Sequence, residues 1–212
     1  MSPVYNSIGV LLAGGLARRM GGGDKSLREV GERMILEWVV ERSRPQVERL
    51  LLNANGDVTR FKHFGLPVVP DVLDGFVGPL AGVLSGLEWA IGSGCDVRWI
   101  VSFATDAPFI PINMVERFEA EAVSTDSDIV CASSGGRRHP VFALWPVTIA
   151  EDLRKALVYE KVRKIDRFTA NYNVQVVEFD TDPIDPFFNV NDPGNLEEAN
   201  TLYRQLKYER AI

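Results

Sequence analysis

The chain has 212 residues, which is enough for one large domain with a sizeable hydrophobic core. Its apolar fraction of 46% and charged fraction of 25% are typical of a globular protein. The net charge of −6 argues against general binding of nucleic acid, because proteins that bind DNA or RNA usually present a basic surface.

Strand-like and helix-like segments alternate along the chain. SIGVLLA, at residues 7–13, is a short apolar run that ends at a Gly-Gly pair, which is typical of a buried strand. MILEWVVERSR, at residues 34–44, has apolar residues at helical spacing and is closed by Pro45. The same criteria predict further strands at residues 47–55, 65–71, 98–106, 127–135, 139–146 and 174–180, and further helices at residues 80–91, 112–123, 148–158, 160–170 and 195–206.

This alternation predicts an α/β fold. Strands separated by helices pair in parallel, and helices then cover both faces of the sheet. We therefore expect a three-layer α/β/α, Rossmann-like architecture with a mostly parallel central sheet, in one domain over residues 1–212. Ligands of such sheets bind beyond the carboxyl ends of the strands. The residues that follow the first four predicted strands are Gly14 and Gly15, Asn53 to Asn55, Asp71 and Asp106.

The two cysteines do not indicate a disulfide scaffold or a metal site. Cys95 and Cys131 are far apart in sequence, and we expect each to be a small buried apolar residue. The first fifteen residues, MSPVYNSIGVLLAGG, lack a basic start, and their apolar run is interrupted by Gly14 and Gly15. We therefore expect neither a signal peptide nor a membrane span, and we expect a cytoplasmic location.

The glycine-rich segment LLAGGLARRMGGGDK, residues 11–25, indicates an anion-binding loop. It is not a Walker loop, because Asp24 stands directly before Lys25 and the first glycine of that motif is missing. It is not a G-x-G-x-x-G dinucleotide loop either, because its first two glycines are adjacent. Glycines nevertheless let backbone N–H groups approach an anion, and Arg19 and Lys25 can spread positive charge over a triphosphate.

Asp106 is the strongest candidate for a metal ligand. It ends the predicted strand at residues 98–106, so its carboxylate emerges at the ligand edge of the sheet. Mg²⁺ prefers one or two carboxylates together with phosphate oxygens and water. The alternative is that Asp106 caps a helix that begins near Ile112, but Pro108 and Pro111 intervene.

Two other motifs have an ordinary structural alternative. Asn53 and Asn55 suit a nucleotide edge, but asparagines at a strand end also form simple turns. GPLAG, residues 78–82, predicts a helix start with Pro79 in the first turn. Its free N–H groups could hold an anion, or the segment could be a plain helix terminus.

Together these motifs resemble those of the molybdenum cofactor guanylyltransferases, the MobA family of nucleotidyltransferases. The glycine loop alone matches the wider superfamily. VVPDVLDGFVGPLAGVLSGL and FFNVNDPGNLEEA, at residues 68–87 and 187–199, make the resemblance specific. LLLNAN, TDAPFIP and HPVFAL also occur in the family's order, so the resemblance spans nearly the whole chain. It implies a Rossmann-like nucleotidyltransferase fold.

The resemblance implies a role for each matched residue. The residues that bind GTP in the family match these positions of this sequence: Leu12, Ala13, Gly14, Gly15, Lys25, Asn53, Asp71 and Asp106. Lys25 would face the phosphates with Arg19 as its helper, and Asp106 would hold Mg²⁺, so these three are the expected catalytic residues. The acceptor side is expected to include Gly78, His139, Asn189 and Asn191. Asn-Asp-Pro-Gly replaces the family's more frequent Asn-Thr-Pro-Glu, which leaves the role of Asn191 open.

The activity implied is transfer of GMP from GTP to the terminal phosphate of molybdopterin, with or without molybdenum, and release of pyrophosphate. Residues 1–106 would mainly bind GTP and residues 107–212 mainly the acceptor. Other molybdenum-cofactor biosynthesis proteins, apo-molybdoenzymes or their chaperones are expected partners, and nucleic acid and membranes are not. His139 is not needed as a general base, because the acceptor phosphate is already anionic. Two alternatives remain: a cytidylyltransferase or other small-phosphate nucleotidyltransferase, and a GTP-binding carrier without transfer activity.

Overall fold

The computed structural model describes residues 6–13, 24–75 and 78–209, with side chains described up to residue 206. The strands in these ranges are β1 (Ser7–Leu12), β2 (Glu29–Val30), β3 (Arg33–Met34), β4 (Arg49–Asn53), β5 (Val68–Val69), β6 (Trp99–Ala104), β7 (Ile129–Ser134), β8 (Arg137–Pro146) and β9 (Val174–Phe179). The α-helices are α1 (Ile35–Ser43), α2 (Pro79–Gly92), α3 (Met114–Thr125), α4 (Ala150–Val158), α5 (Ile165–Thr169) and α6 (Pro193–Glu209). Short 3₁₀ helices at Lys25–Leu27, Arg44–Gln46, Val58–Phe64 and Val147–Ile149 connect some of them.

Seven strands form one sheet in the order β5-β4-β1-β6-β8-β7-β9, and β2 and β3 form a separate antiparallel pair. β1 is parallel to both β4 and β6, β4 is parallel to β5, and β7 is parallel to β9. Only β8 runs antiparallel to its neighbours in this sheet, β6 and β7. The expected mostly parallel sheet is therefore confirmed.

The antiparallel direction of β8 follows from a two-residue turn. Ser134 pairs with Arg137 across the turn, and Gly135 and Gly136 have φ angles of 54° and 75°. Glycine adopts such angles at no steric cost, whereas a parallel return would require a crossover of a dozen or more residues. Gly135, the last residue of the strand predicted at 127–135, and Gly136 directly after it are a sequence signal for a hairpin that the sequence analysis did not use.

Helices cover the sheet on both faces, as the sequence predicted. Alternate residues of β1 point to opposite sides, so Val10 belongs to the part of the core that includes α2, α4 and α5, while Leu11 belongs to the part that includes α1, α3 and α6. Both side chains are fully buried, which explains why the strand sequence is apolar at successive positions rather than alternating. The three-layer α/β/α architecture is confirmed.

Several predicted boundaries differ from the structure. The predicted helix at residues 160–170 is wrong at its start: α4 ends at Val158, Lys161 has a φ of 56°, and α5 begins only at Ile165. β5 is much shorter than the predicted strand at 65–71, because the flanking prolines lack the N–H donor that a sheet ladder needs.

The two cysteines differ in how deeply they are buried. Cys131 is buried as expected, whereas Cys95 is only partly buried, so the expectation for Cys95 is wrong in degree. Within the ranges that the structure describes, no helix is both long and apolar enough to cross a membrane.

Candidate functional site

A cavity of about 500 Å³ opens at the carboxyl ends of β1, β4 and β6, where the sequence predicted a ligand. The predicted site residues that line it are Leu12, Ala13, Lys25, Asn53, Asp71, Gly78, Asp106, His139 and Asn189. Asn191 does not line the cavity but contacts Lys25, which does. Gly14, Gly15 and Arg19 lie outside the described residues, so the structure does not test their predicted roles.

Hydrogen bonds tie the three strand ends together beneath the cavity. The Ala13 N–H donates to the Asn53 carbonyl at 2.9 Å, which joins the ends of β1 and β4. The Thr105 hydroxyl donates to the Leu12 carbonyl at 3.2 Å, which joins the ends of β1 and β6. The residues that the sequence placed at separate strand ends therefore form one continuous floor.

Helix α2 packs directly on this floor because Gly82 has no side chain. A Cβ atom at Gly82 would lie 2.3 Å from Asn53 Oδ1 and 2.6 Å from Leu12 Cδ2. Pro79 occupies the first turn of α2, as predicted, and Gly78 precedes it with a φ of 82°. The GPLAG motif thus brings the start of a helix to the cavity wall.

Asp71 is held by two asparagines. Asn53 Nδ2 donates to Asp71 Oδ1 at 3.0 Å, and Asn55 Nδ2 donates to Asp71 Oδ2 at 2.8 Å. The Asp71 N–H in turn donates to Asn55 Oδ1 at 2.8 Å. The two asparagines therefore do more than form a turn at a strand end, because they orient a carboxylate that faces the cavity.

Lys25 is held by the segment that precedes α6. Its ammonium group donates to Asn191 Oδ1 at 2.7 Å. The same segment is fixed to the end of β6, because the Val190 N–H donates to the Asp106 carbonyl at 2.8 Å. Further along α6, Asn200 Oδ1 accepts from the Gly31 N–H at 2.8 Å, next to the β2–β3 hairpin that follows Lys25. The late asparagine motif and the lysine thus meet although they are far apart in sequence.

Asp106 is a partly buried carboxylate in the cavity wall. Burial raises the pKa of Asp106, and the positive charge of Lys25 opposes this rise. Its carboxylate makes no hydrogen bond to another side chain of the described residues. It does not cap α3, which begins at Met114 after Asn113, so the helix-cap alternative is wrong.

His139 also lines the cavity and belongs to a largely buried hydrogen-bonded chain. Its Nε2 lies 2.7 Å from Ser134 Oγ, and Ser134 Oγ donates to Asp185 Oδ1 at 2.8 Å. The serine hydroxyl has one hydrogen, so Nε2 of His139 is the protonated nitrogen and donates to the serine. Burial lowers the pKa of His139, while the Asp185 charge opposes this effect. The neutral imidazole packs against Phe187 with 4.8 Å between ring centroids.

The comparisons with known proteins agree with this arrangement. Residues 9–175 match the model of the MobA-like NTP transferase domain. The chain belongs to the MobA-like NTP transferase family. Two relatives called molybdenum cofactor guanylyltransferase are 51% and 52% identical to it, from Rhodopseudomonas palustris (strain BisB5) and Bradyrhizobium sp. (strain ORS 278). Their alignments cover 91% and 92% of this chain, and 92% of each relative.

Solved structures share the fold of this MobA-like chain. Molybdopterin-guanine dinucleotide biosynthesis protein A from Archaeoglobus fulgidus matches with a TM-score of 0.74 at 24% identity, over 93% of this chain and 99% of its own. A 4-diphosphocytidyl-2C-methyl-D-erythritol synthase from Anaerococcus prevotii matches with a TM-score of 0.72 at 13% identity, over 95% and 96% of the two chains. Because both proteins have this fold, the fold alone does not identify the nucleotide.

Sequence reasoning missed several residues of the MobA-like cavity. Ser134 and Asp185 were not singled out, because they support His139 only after the β7–β8 hairpin and the segment before α6 have folded together. Asp24 was noted only because it disrupts a Walker motif, yet its side chain lines the cavity beside Lys25. No motif in the sequence marks these residues, since the contacts of Ser134 with Asp185 and of Asp24 with Arg60 join distant segments.

Proposed function

We propose that this MobA-like protein transfers GMP from GTP to the terminal phosphate of molybdopterin, with or without bound molybdenum, and releases pyrophosphate. The observation that carries the proposal is the convergence of Lys25, Asn53, Asp71 and Asp106 in one cavity. These residues come from four separate segments and match the family's GTP motifs. The names of the two relatives at about half identity support GTP and molybdopterin as the substrates.

The nucleotide would occupy the wall built by the first half of the chain. The backbone at Leu12 and Ala13, continued by Gly14 and Gly15, would hold the guanosine together with Asn53 and Asp71. Lys25, assisted by Arg19, would lie along the phosphates and stabilise the charge of the departing pyrophosphate. Transfer of this kind depends mainly on positioning and on neutralising negative charge, which cationic side chains supply.

Asp106 would hold a magnesium ion. Within residues 6–13, 24–75 and 78–209, no group of three or more His, Cys, Asp or Glu side chains is arranged for a metal ion. A single carboxylate nevertheless suits Mg²⁺ where phosphate oxygens and water complete its ligands. Asp106 fits this role because its carboxylate lines the cavity and is not engaged by another described side chain. When bound, the ion supplies neutralisation of charge on the phosphate oxygens.

The acceptor would occupy the wall built by the second half of the chain. Arg137 and Arg138 line the cavity there with exposed side chains that suit phosphate. His139 and Asn189 complete this side together with Gly78, which the first half of the chain contributes. Asn189 Oδ1 is buried without a hydrogen-bond partner among the described residues. Such an acceptor oxygen suits an N–H donor of the ligand.

The reaction needs no general base from this wall. An oxygen of the acceptor phosphate would attack the α-phosphorus of GTP, the bond from that phosphorus to the β-bridging oxygen would break, and pyrophosphate would carry away the electron pair. The division of the single domain into residues 1–106 for GTP and 107–212 for the acceptor is part of the proposal. The proposal also includes a cytoplasmic location and delivery of the product to other cofactor-biosynthesis proteins, apo-molybdoenzymes or their chaperones.

A pyrophosphate-release assay tests this function. The protein would be incubated with Mg²⁺, molybdenum-loaded molybdopterin and each nucleoside triphosphate in turn, with a control that omits the acceptor. We expect pyrophosphate release with GTP and with no other nucleoside triphosphate, and only when the acceptor is present. Release with CTP would indicate cytidylyl transfer. Tight GTP binding without release would favour a carrier and contradict the proposal.

A further inference from the structure

Asp24 poses an electrostatic problem for the proposed binding of a triphosphate. Asp24 lines the same cavity as Lys25, which directly follows it in sequence, and the Asp24 side chain is only 20% exposed. A carboxylate in this position would repel phosphate groups, and low exposure to solvent would strengthen the repulsion. A site for phosphates therefore requires that the charge of Asp24 be compensated.

Arg60 supplies this compensation. Its Nε donates to the Asp24 carboxylate, and the arginine side chain is only 28% exposed, so the pair is partly shielded from water. The guanidinium group lies 4.4 Å from the centroid of the Phe61 ring, which limits its movement. Arg60 is not among the residues that line the cavity, so its charge acts on the cavity through Asp24.

The same guanidinium group is fixed to the loop that follows β4. One terminal nitrogen donates to the Asn55 carbonyl at 2.9 Å, and the other donates to the Asp57 carbonyl. Asn55 also holds Asp71 through its side chain, at 2.8 Å in both directions. Arg60 thus joins the residue next to the phosphate-facing lysine to the loop that orients Asp71.

We propose that Arg60 is a positioning residue that neutralises Asp24 and links the phosphate side of the nucleotide site to its nucleoside side. This inference rests on the proposed function, because it requires a nucleoside triphosphate in the cavity. Arg60 does not touch the reacting atoms. It keeps the cavity beside Lys25 favourable for negative charge and holds Asp24 against the Asn55 loop.

The test compares the binding of GTP and GMP by isothermal titration calorimetry. The measurements are made in EDTA, where the triphosphate keeps its full negative charge. Replacing Arg60 with a neutral side chain, Arg60→Met, leaves Asp24 uncompensated. We expect the Kd for GTP to rise about tenfold, which is about 1.4 kcal/mol, and the Kd for GMP by less than about threefold, because the uncompensated carboxylate repels three phosphate groups of GTP and only one of GMP. Adding Asp24→Asn to Arg60→Met should restore most of the affinity for GTP.

A matched control uses an ion pair away from the cavity. Arg154 donates to Glu88 through two bonds of 2.7 Å, and neither residue lines the cavity. Arg154→Met removes a comparable pair and should not change the ratio of GTP to GMP affinity. Equal losses for GTP and GMP in Arg60→Met, or no recovery in the double variant, would overturn the proposal in favour of a purely structural role.

Asp24→Asn alone keeps the proposal testable if Arg60→Met does not fold. This variant removes the carboxylate that repels phosphate and keeps the positive charge of Arg60, so the affinity for GTP should increase, and a lower affinity would contradict the proposal. The wild-type protein separately tests the proposed function. If it binds CTP rather than GTP, GTP is wrong as the substrate, and the role of Arg60 is then decided by the same comparison with CTP and CMP.

Discussion

The carboxylates of Asp71 and Asp106 differ in whether their oxygens already accept hydrogen bonds from other side chains of the described residues. Both oxygens of Asp71 accept hydrogen bonds from the amides of Asn53 and Asn55. The carboxylate of Asp106 has no such side-chain donor among the described residues, and burial raises its pKa. A nearby cation would favour the ionised form of Asp106. At the residue scale, therefore, Asp71 is already positioned, whereas Asp106 is available to bind a cation.

The buried imidazole of His139 predicts a specific pH dependence of stability. Folding lowers its pKa below the ordinary value of 6.5, so the unfolded chain takes up this proton at a higher pH than the folded protein does. The stability that neutral His139 contributes is present above pH 6.5 and is lost as the pH falls below 6.5. His139→Gln keeps a donor for Ser134 but cannot titrate.

The measurement is the free energy of unfolding in urea at a series of pH values from about 7.5 to about 5.5. We expect the wild-type free energy to fall more steeply with acidification than that of His139→Gln. Other titrating groups, including Asp106, cancel in the difference because both proteins contain them. Parallel curves would contradict the assigned state of His139.

At the element scale, the approach of α2 to the strand ends shapes the nucleotide side of the cavity. Gly86 continues the contact begun by Gly82, since a Cβ there would lie 2.4 Å from Val10 Cγ2. Two glycines one helical turn apart therefore let α2 lie directly against β1 and β4. Their absence of side chains is a packing requirement rather than a source of flexibility.

Gly82→Ala should weaken both folding and nucleotide binding. The added methyl group must displace Asn53 or move α2, which we expect to cost about 1–3 kcal/mol of stability. Displacement of Asn53 should also raise the KM for GTP. Gly92→Ala is the matched control in the same helix, because no atom lies within 4 Å of its Cβ position. It should stabilise the protein by up to about 1 kcal/mol and leave KM unchanged. Chemical denaturation and steady-state kinetics distinguish the two outcomes, and an unaffected KM in Gly82→Ala would count against this account.

Most helices and strands could be predicted from strong local patterns in the sequence. The contacts between distant segments could not be predicted in this way. The apolar runs of β1 and β6 and the helical spacing in α1 and α2 are local properties, so their approximate positions followed from sequence. The antiparallel direction of β8 depends on the turn at Gly135 and Gly136. The alternation of helices and strands elsewhere in the chain favours parallel pairing, so it does not predict this direction. The link from Lys25 to Asn191 joins residues far apart in the chain. It was not predicted, because the family resemblance placed Lys25 with the nucleotide and Asn191 with the acceptor.

At the scale of the whole molecule, the cavity is lined by residues from both halves of the chain. Lys25, Asn53 and Asp71 from the first half line it together with Arg137 and Arg138 from the second half, and the proposed function assigns these two groups to different substrates. β7 brings the chain to the carboxyl edge of the parallel strands, and the two arginines begin the antiparallel β8 there. This arrangement allows the two substrates to be bound by separate residues.

The double variant Arg137→Gln/Arg138→Gln tests that separation. Loss of two cationic contacts with phosphate should raise the KM for molybdopterin at least about tenfold. The Kd for GTP should change by less than about twofold, because the nucleotide wall is intact. Arg167→Gln, an exposed arginine on α5 that does not line the cavity, is the control. Equal losses for both substrates would argue against separate walls.

The magnesium dependence of GTP turnover in wild type and Asp106→Asn tests the central claim most directly. The variant keeps the size of the side chain but removes the charge that would hold the metal ion. We expect kcat to fall about a thousandfold, with the thermal unfolding temperature not lowered, since the substitution removes a buried charge. A variant that retains magnesium-dependent turnover within about threefold of wild type would contradict the assignment of Asp106 and, with it, the proposed organisation of the site.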